Sequence, residues 1–572
     1  MLITDHLYDK PTPRSSASRM PTMNRRESDL ARRSAEIRQF FRSSVPDKAF
    51  ISQFLCDTEF ELDGYQAEIH RLQATIRVIE GKRDRLKQTA ERYKTLLSPI
   101  HAMPSEILTI IFEFCCETNV MNSRSLPVAM RLTAVCGRWR DIALSTPGLW
   151  SSLKIDFGRN KLGIVGRLVE KYMLRSQKSP LSLTLQIPHR GFDPDLEDAR
   201  TAAARSVLDT LIRQCERWKN LSLLAHPYTF PSSVFQPTQG HLPILPSLSL
   251  FYHGDLDPWQ PNPFDFFNDC PSLRSLCIDD YFAIQDDELT LPRDQIKTLR
   301  IASSCNKHAC FLLSQYPAVE TLDLISVSQD HYVCDEYSHL VVASPLKVLR
   351  ILDVHDYDDI DDALQHSMLS NLSALTITGM SDDTENWTGA SIQDLVLRSG
   401  CTITYLHLQS LPIDGSQLLS LLTSLPTIES LCIVEYDQGR YLSRNRMVTQ
   451  TLLDGLTVNA PLGGPSSIPM SVLPRLTEMK LVIWPQELLS QSLLRVLTSR
   501  WLPDPVKAAE LGVNCLSFVV VTVFSNDKTP PQMPLDCLQC LKEAGMRLVI
   551  TYATSSKLRP SLMLYPEDAL LR

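Results

Sequence analysis

Cys537 and Cys540 stand three residues apart, the spacing that half of a zinc site needs, but no second pair and no nearby histidine completes a four-ligand set. Buried thiols are the better expectation. Asp356, Asp358, Asp359, Asp361 and Asp362 supply enough carboxylates for calcium, but the run lacks the glycine and terminal glutamate of a calcium loop and reads as a solvated loop. No Gly-x-x-x-x-Gly-Lys phosphate loop, Gly-x-Ser-x-Gly nucleophile turn, paired-histidine zinc helix or dinucleotide glycine fingerprint occurs. No residue is assigned a catalytic role, and no metal or cofactor is expected. What recurs at fixed spacing is apolar, and the chemistry it offers is contact.

The elements that must carry those contacts are set by length and composition. At 572 residues and 64.6 kDa the chain exceeds one ordinary core, so it holds several domain-sized units or one repeat array. Lys and Arg number 57 against 65 Asp and Glu, a net charge of −8, which leaves no general basic field for nucleic acid. The 37 prolines against 20 glycines hint at proline-punctuated repeats. The start MLITDHLYDKPTPRSS lacks a basic then apolar export signal, and the greasiest run, Phe518 to Phe524, is too short to cross a membrane. The expectation is an intracellular protein with no membrane partner, its fifteen cysteines reduced.

Residues 1–60 mix Ser, Pro and Arg without a clean period and are expected to be a disordered tail. Arg25-Arg26 and Arg32-Arg33 would suit part of a nuclear import signal, or simply a solvated tail. Over 61–98 the pattern changes. Leu62, Tyr65, Ile69, Leu72, Ile76, Ile79, Arg83, Leu86, Ala90, Tyr93 and Leu97 alternate at spacings of three and four, a heptad seam that Ser98-Pro99 must end. That helix either self-associates through residues 62–97 or lays its stripe on its own downstream domain.

Residues 99–150 read as two or three short amphipathic helices. Pro104 sits at a helix start, Glu106 suits the N-terminal dipole, and Ile107, Leu108, Ile111, Phe112 and Cys115 follow at helical spacing. Pro127 opens a second stretch carrying Val128, Leu132, Val135, Trp139 and Ile142, and Pro147-Gly148 turns the chain. So few helices cannot bury both faces alone, which calls for a partner or a docked neighbour.

The run Met103-Pro104-Ser105-Glu106-Ile107-Leu108, then Ile111-Phe112, Leu132, Val135-Cys136, Trp139-Arg140, Ile142-Ala143, Pro147 and Leu149-Trp150 resembles an F-box, especially the fungal type preceded by a heptad helix. The resemblance implies docking on the small adaptor subunit of an SCF-type cullin–RING ubiquitin ligase and, through it, on the cullin. The contacts it implies are Met103, Pro104, Ile107, Leu108, Ile111, Phe112, Leu132, Val135, Cys136 and Trp139. Two departures are visible: Met103 stands where the family commonly has Leu, and Glu117 to Leu126 looks like extra loop.

From 151 to 572 a unit of apolar-x-x-apolar-x-apolar recurs, often with a proline two residues ahead. Leu245-Leu248-Leu250, Leu273-Leu276-Ile278, Ile296-Leu299-Ile301, Val319-Leu322-Leu324 and Leu346-Leu349-Ile351 are clear copies, and further ones run to Leu476-Met479-Leu481. This is the signature of leucine-rich repeats, in which short strands stack to bury one continuous core. Tyr281 and Val327 stand where the stacked-turn asparagine belongs, so the repeats are irregular. The fold expected is an α/β repeat solenoid, irregular and leucine-rich-repeat-like, preceded by a small all-α F-box module and a long N-terminal helix. An ordinary α/β domain with parallel strands shares the pattern. Cys277, Arg300, Asp323, Arg350, Thr376, His407, Cys432 and Lys480, at equivalent strand positions, are expected on an exposed concave face where an unknown target protein binds.

These readings together suggest a substrate-recruiting ligase subunit acting by proximity. The alternatives are a coiled-coil and repeat scaffold without ubiquitin transfer, or an enzyme with an unrecognised site.

Overall fold

Strict alternation of apolar and polar residues, as in Leu181–Ile187 (LSLTLQI), lets a strand bury one face, and every second side chain of that segment is buried. The computed structural model describes residues 32, 34–35, 38–39, 48–121, 124–158, 161–187, 199–225, 232–252, 265–279, 291–302, 309–325, 344–354, 360–361, 364, 367–379, 387–435, 446–458, 471–484, 489–525 and 538–554. The Arg25-Arg26 pair, Arg33, Asp356 to Asp359, Asp362, Tyr281, Val327 and Cys537 lie outside them. The chain divides into two compact units, Met1–Pro104 and Ser105–Arg572.

In the first unit, α1 (Lys48–Leu96) runs 49 residues, about 74 Å at 1.5 Å per residue. Its last turn carries Lys94, whose charge suits the C-terminal dipole, and Ser98 turns extended (φ −62°, ψ 137°) ahead of Pro99, as the proline requires, before the short α2 (Pro99–Ala102). The helix thus begins inside the segment expected to be a disordered tail. The reason is visible in the sequence, since Ile51, Leu55 and Thr58 continue the heptad spacing upstream of Leu62.

Among its described residues the second unit is an α/β fold built on one sheet of fifteen strands. All pairings are parallel, every strand lies beside its neighbours in sequence, and the sheet does not close into a barrel. The order is β1 (Asn119–Met121), β2 (Ser152–Asp156), β3 (Leu181–Ile187), β4 (Trp218–Ala225), β5 (Ser247–Tyr252), β6 (Ser275–Asp279), β7 (Thr298–Ala302), β8 (Thr321–Ile325), β9 (Val348–Val354), β10 (Ala374–Gly379), β11 (Tyr405–Gln409), β12 (Ser430–Val434), β13 (Glu478–Ile483), β14 (Phe518–Ser525) and β15 (Arg547–Thr554).

Register aligns like residues across the sheet. Leu248, Leu276, Leu299, Leu322, Leu349, Leu375, Leu406 and Leu431 form one ladder, and each is buried. Burying one such leucine contributes roughly 1.5–3 kcal/mol. A slip of one residue in any strand would turn its leucines to the opposite face, so the apolar pattern fixes register.

Parallel neighbours need crossovers. Several are helical and pack on the helices before and after them, as in the run Ala390–Ser399, Gly415–Thr423, Gln450–Leu456 and Leu489–Arg500. Two glycines permit that approach: a Cβ at Gly415 would collide with the Thr449 side chain, and one at Gly455 with Leu419. At the end of the last of these helices Arg500 is wholly buried. It donates to the carbonyls of Leu456 (2.7 Å), Leu473 (3.0 Å) and Val472, while burial pulls its guanidinium down to about 10.

Among the described residues no helix is long and apolar enough to cross a membrane.

Candidate docking surface

The second unit opens with α3 (Ser105–Cys115), α4 (Val128–Thr133) and α5 (Gly137–Ser145), closed by a 3₁₀ turn over Pro147–Trp150. In α3 seven of eleven residues are apolar, more than one helix face can bury. The structure divides them. Leu108 and Phe112 point inward, and Phe112 meets the half-buried Trp139 of α5 with ring centroids 4.8 Å apart. Ile107, Ile110, Ile111 and Phe114 are 40–62% exposed and follow the i, i+3, i+4, i+7 spacing of one face. Val135, between α4 and α5, is also exposed.

The ten residues implied as adaptor contacts therefore separate. Ile107, Ile111 and Val135 are exposed and can touch a partner. Leu108, Phe112 and Leu132 are buried in the unit's own interior, so they are corrected from contacts to supports: each fills space beneath the exposed stripe. Cys136 caps α5, its Sγ accepting from the Trp139 N–H at 3.5 Å. Met103, half-buried, and the exposed Pro104 end the first unit. Ile110 and Phe114 were missed by sequence reasoning, although seven apolar residues in eleven was signal enough that a second stripe existed.

The Glu117 to Leu126 stretch is more than an added loop. It contains β1, which pairs with β2 and so begins the sheet. Asn119 of β1 is wholly buried and satisfied on both sides of its amide. Its Nδ2 donates to the carbonyls of Cys116 (3.2 Å) and Leu149 (3.0 Å); its Oδ1 accepts from the Ala129 N–H (3.0 Å) and the Tyr172 hydroxyl (3.1 Å). One side chain thus ties the end of α3, α4, the 3₁₀ turn and the helix between β2 and β3 (Leu162–Ser176) together. Trp150, donating to the Ala143 carbonyl at 2.7 Å and edge-on to Tyr172 at 4.9 Å, reinforces the joint. The helices cannot shift without disturbing the sheet, which gives the outward stripe a rigid base.

In the sheet, the expected row is brought into register from Cys277 through Arg300, Asp323, Arg350, Thr376, His407 and Cys432 to Lys480. It is not uniformly exposed. Arg300, Arg350 and Lys480 are half-buried, whereas Asp323, Thr376, His407 and Cys432 are buried, a correction to the exposed face expected of them. At Asp323 the cause is ion pairing across strands: Arg300 donates to Oδ2 at 2.9 and 3.1 Å and Arg350 to Oδ1 at 3.3 Å, so both guanidinium groups fold over the carboxylate. At Cys432 it is an apolar cluster with Val434 and Val482, against which Trp484 packs. Neither ring nitrogen of His407 has a hydrogen-bond partner, and burial, helped by the charges of Lys480 and Arg350, holds its pKa down to about 3. The ring stays neutral at physiological pH.

At buried cysteines the same physics disfavours thiol chemistry, whereas Cys540, expected to be buried, is exposed. Burial pushes Cys116 and Cys270 up to about 12 and Cys432 up to about 11, far from a working thiolate. Among the described residues no group of His, Cys, Asp and Glu is placed to hold a metal ion. What the arrangement offers is a firm apolar stripe on α3 and a partly covered polar row on the sheet. Compared with known proteins, the chain matches no family model and no curated protein.

Proposed function

We propose that residues 99–150 are an F-box that docks on the small adaptor of an SCF-type ubiquitin ligase, and that the strand array is an irregular leucine-rich-repeat solenoid holding a target protein. The observation that carries this reading is α3: four large apolar side chains face solvent on a helix whose opposite face already satisfies the local core. Folding does not require them there, and a contiguous exposed apolar patch marks an interaction site. The repeat reading is supported by each strand pairing only with its sequence neighbours. Arg300, Arg350 and Lys480, partly exposed along the row, offer charge and hydrogen bonds to a target surface. The chain would make and break no covalent bond; tethering raises the effective concentration of target lysines near the ubiquitin-carrying enzyme.

The test is affinity purification of the tagged full chain beside its Ile111→Glu/Phe114→Glu variant, scored for adaptor and cullin. Both should co-purify with the native chain and vanish with the variant. Undiminished adaptor binding by the variant defeats the docking surface. Adaptor without cullin moves the assignment to a scaffold that transfers no ubiquitin.

A further inference from the structure

The seam of α1 continues upstream to Ile51, so the three-and-four alternation spans nearly the whole helix. Its large apolar members are exposed, from 39% at Ile51 to 71% at Leu86. A period of 3.5 residues sustained over so many turns fits a supercoiled partner helix. The pattern itself says which partner, and in which direction.

We infer that α1 pairs with α1 of a second copy as an antiparallel two-stranded coiled coil whose two-fold axis passes beside Ala74. In that register Leu72 faces the partner's Ile76, Ile69 the partner's Ile79, and Leu62 the partner's Leu86. The irregular positions also find suitable neighbours. Thr58 falls opposite the small Ala90, and Arg83 falls on the ring of Tyr65, where a guanidinium is attracted to the aromatic face. A parallel, in-register pair would instead set Arg83 against its own copy in the seam.

Charge on the flanks points the same way. Glu59 and Glu68 border the N-terminal half of the seam; Lys82 and Lys87 border the C-terminal half. Antiparallel packing brings Glu68 to the partner's Lys82 and Glu59 to the partner's Lys87, because like flanks of the two helices meet when they run in opposite directions. Parallel packing brings Lys82 to the partner's Lys87, a repulsive pair counted twice. Glu68 already accepts from Arg71 of its own helix at 2.7 Å, but that pair is exposed, and a carboxylate has lone pairs for a further donor. The inference does not depend on adaptor docking. Its consequence is a dimer that carries two strand arrays.

Sedimentation of the full chain should give a dimer, twice 64.6 kDa. Lys82→Glu should weaken it about tenfold, since two attractive contacts become repulsive, and adding Glu68→Lys should restore it. A zero-length carbodiimide should also join Glu68 to Lys82. Within one helix these residues are about 21 Å apart, so that link forms only between copies. A monomer at every concentration, tighter association of Lys82→Glu as a parallel pair requires, or absence of the Glu68–Lys82 link would overturn the assignment.

Discussion

Helix α3 and strands β8 to β12 depart from the rule of apolar inside and polar outside in opposite directions. On α3, Ile107, Ile110, Ile111 and Phe114 face solvent; on the strands, Asp323, Thr376 and His407 are buried. Scattered exposed leucines carry little information, but a contiguous exposed apolar stripe or a buried charge does. The two cases differ in who resolves them. Asp323 is answered within the chain by Arg300 and Arg350, and His407 by giving up its charge. Among the described residues nothing covers the stripe on α3, and in the proposed function it is a partner protein that would.

The sharpest break of this contrast lies within α3 itself. Phe112→Ala, on the inward face, should cost about 3–5 kcal/mol through the cavity it leaves, read as a lowered denaturation midpoint. If it proves harmless, the division of α3 into two faces is wrong. Next comes Asp323→Ala, which leaves two partly covered guanidinium groups facing each other. Discounted for the solvent that reaches both arginines, the loss should be about 2–4 kcal/mol, while Arg350→Ala, which leaves Asp323 paired with Arg300, should lose less.

His407 gives a smaller effect with a defined pH window. Its folded value lies below the ordinary 6.5, so the unfolded chain binds a proton that the folded chain refuses. Stability should therefore fall as pH drops from about 6.5 towards about 3, by up to about 1.4 kcal/mol per pH unit from this group. His407→Asn should flatten that part of the pH profile relative to the native chain; identical acid limbs would place the ring in solvent. The smallest effect on stability belongs to Phe114→Ala, within about 0.5 kcal/mol, because its ring is mostly in water already. The same substitution should weaken adaptor binding at least tenfold in a titration, as loss of an interface aromatic does.

Much of the scaffold was legible in the residues. The apolar spacing located strand cores such as Leu276-Ile278 and Leu431-Ile433, and their ladder partners followed from equivalent positions. The two least legible features were β1 and the start of α1. A three-residue strand carries too little period to detect, and β1 is held by Asn119, whose partners lie 3 to 53 residues away in sequence. At α1 the signal was present in Ile51 and Leu55 but diluted by the charged, serine-rich tail before it.

Periodicity and spacing were enough to specify the seam of α1, the parallel ladder and the row from Cys277 to Lys480, because each depends on residues whose relative placement a helix or strand fixes locally. Which side of each element meets water was settled by packing. Ile111 and Phe112 are adjacent and both apolar, yet α5 and its Trp139 choose Phe112 for the interior. Asp323 and Lys480 occupy equivalent positions, yet only Asp323 has an arginine on each neighbouring strand to cover it. Burial is a property of neighbours brought from far along the chain, and no local pattern contains them.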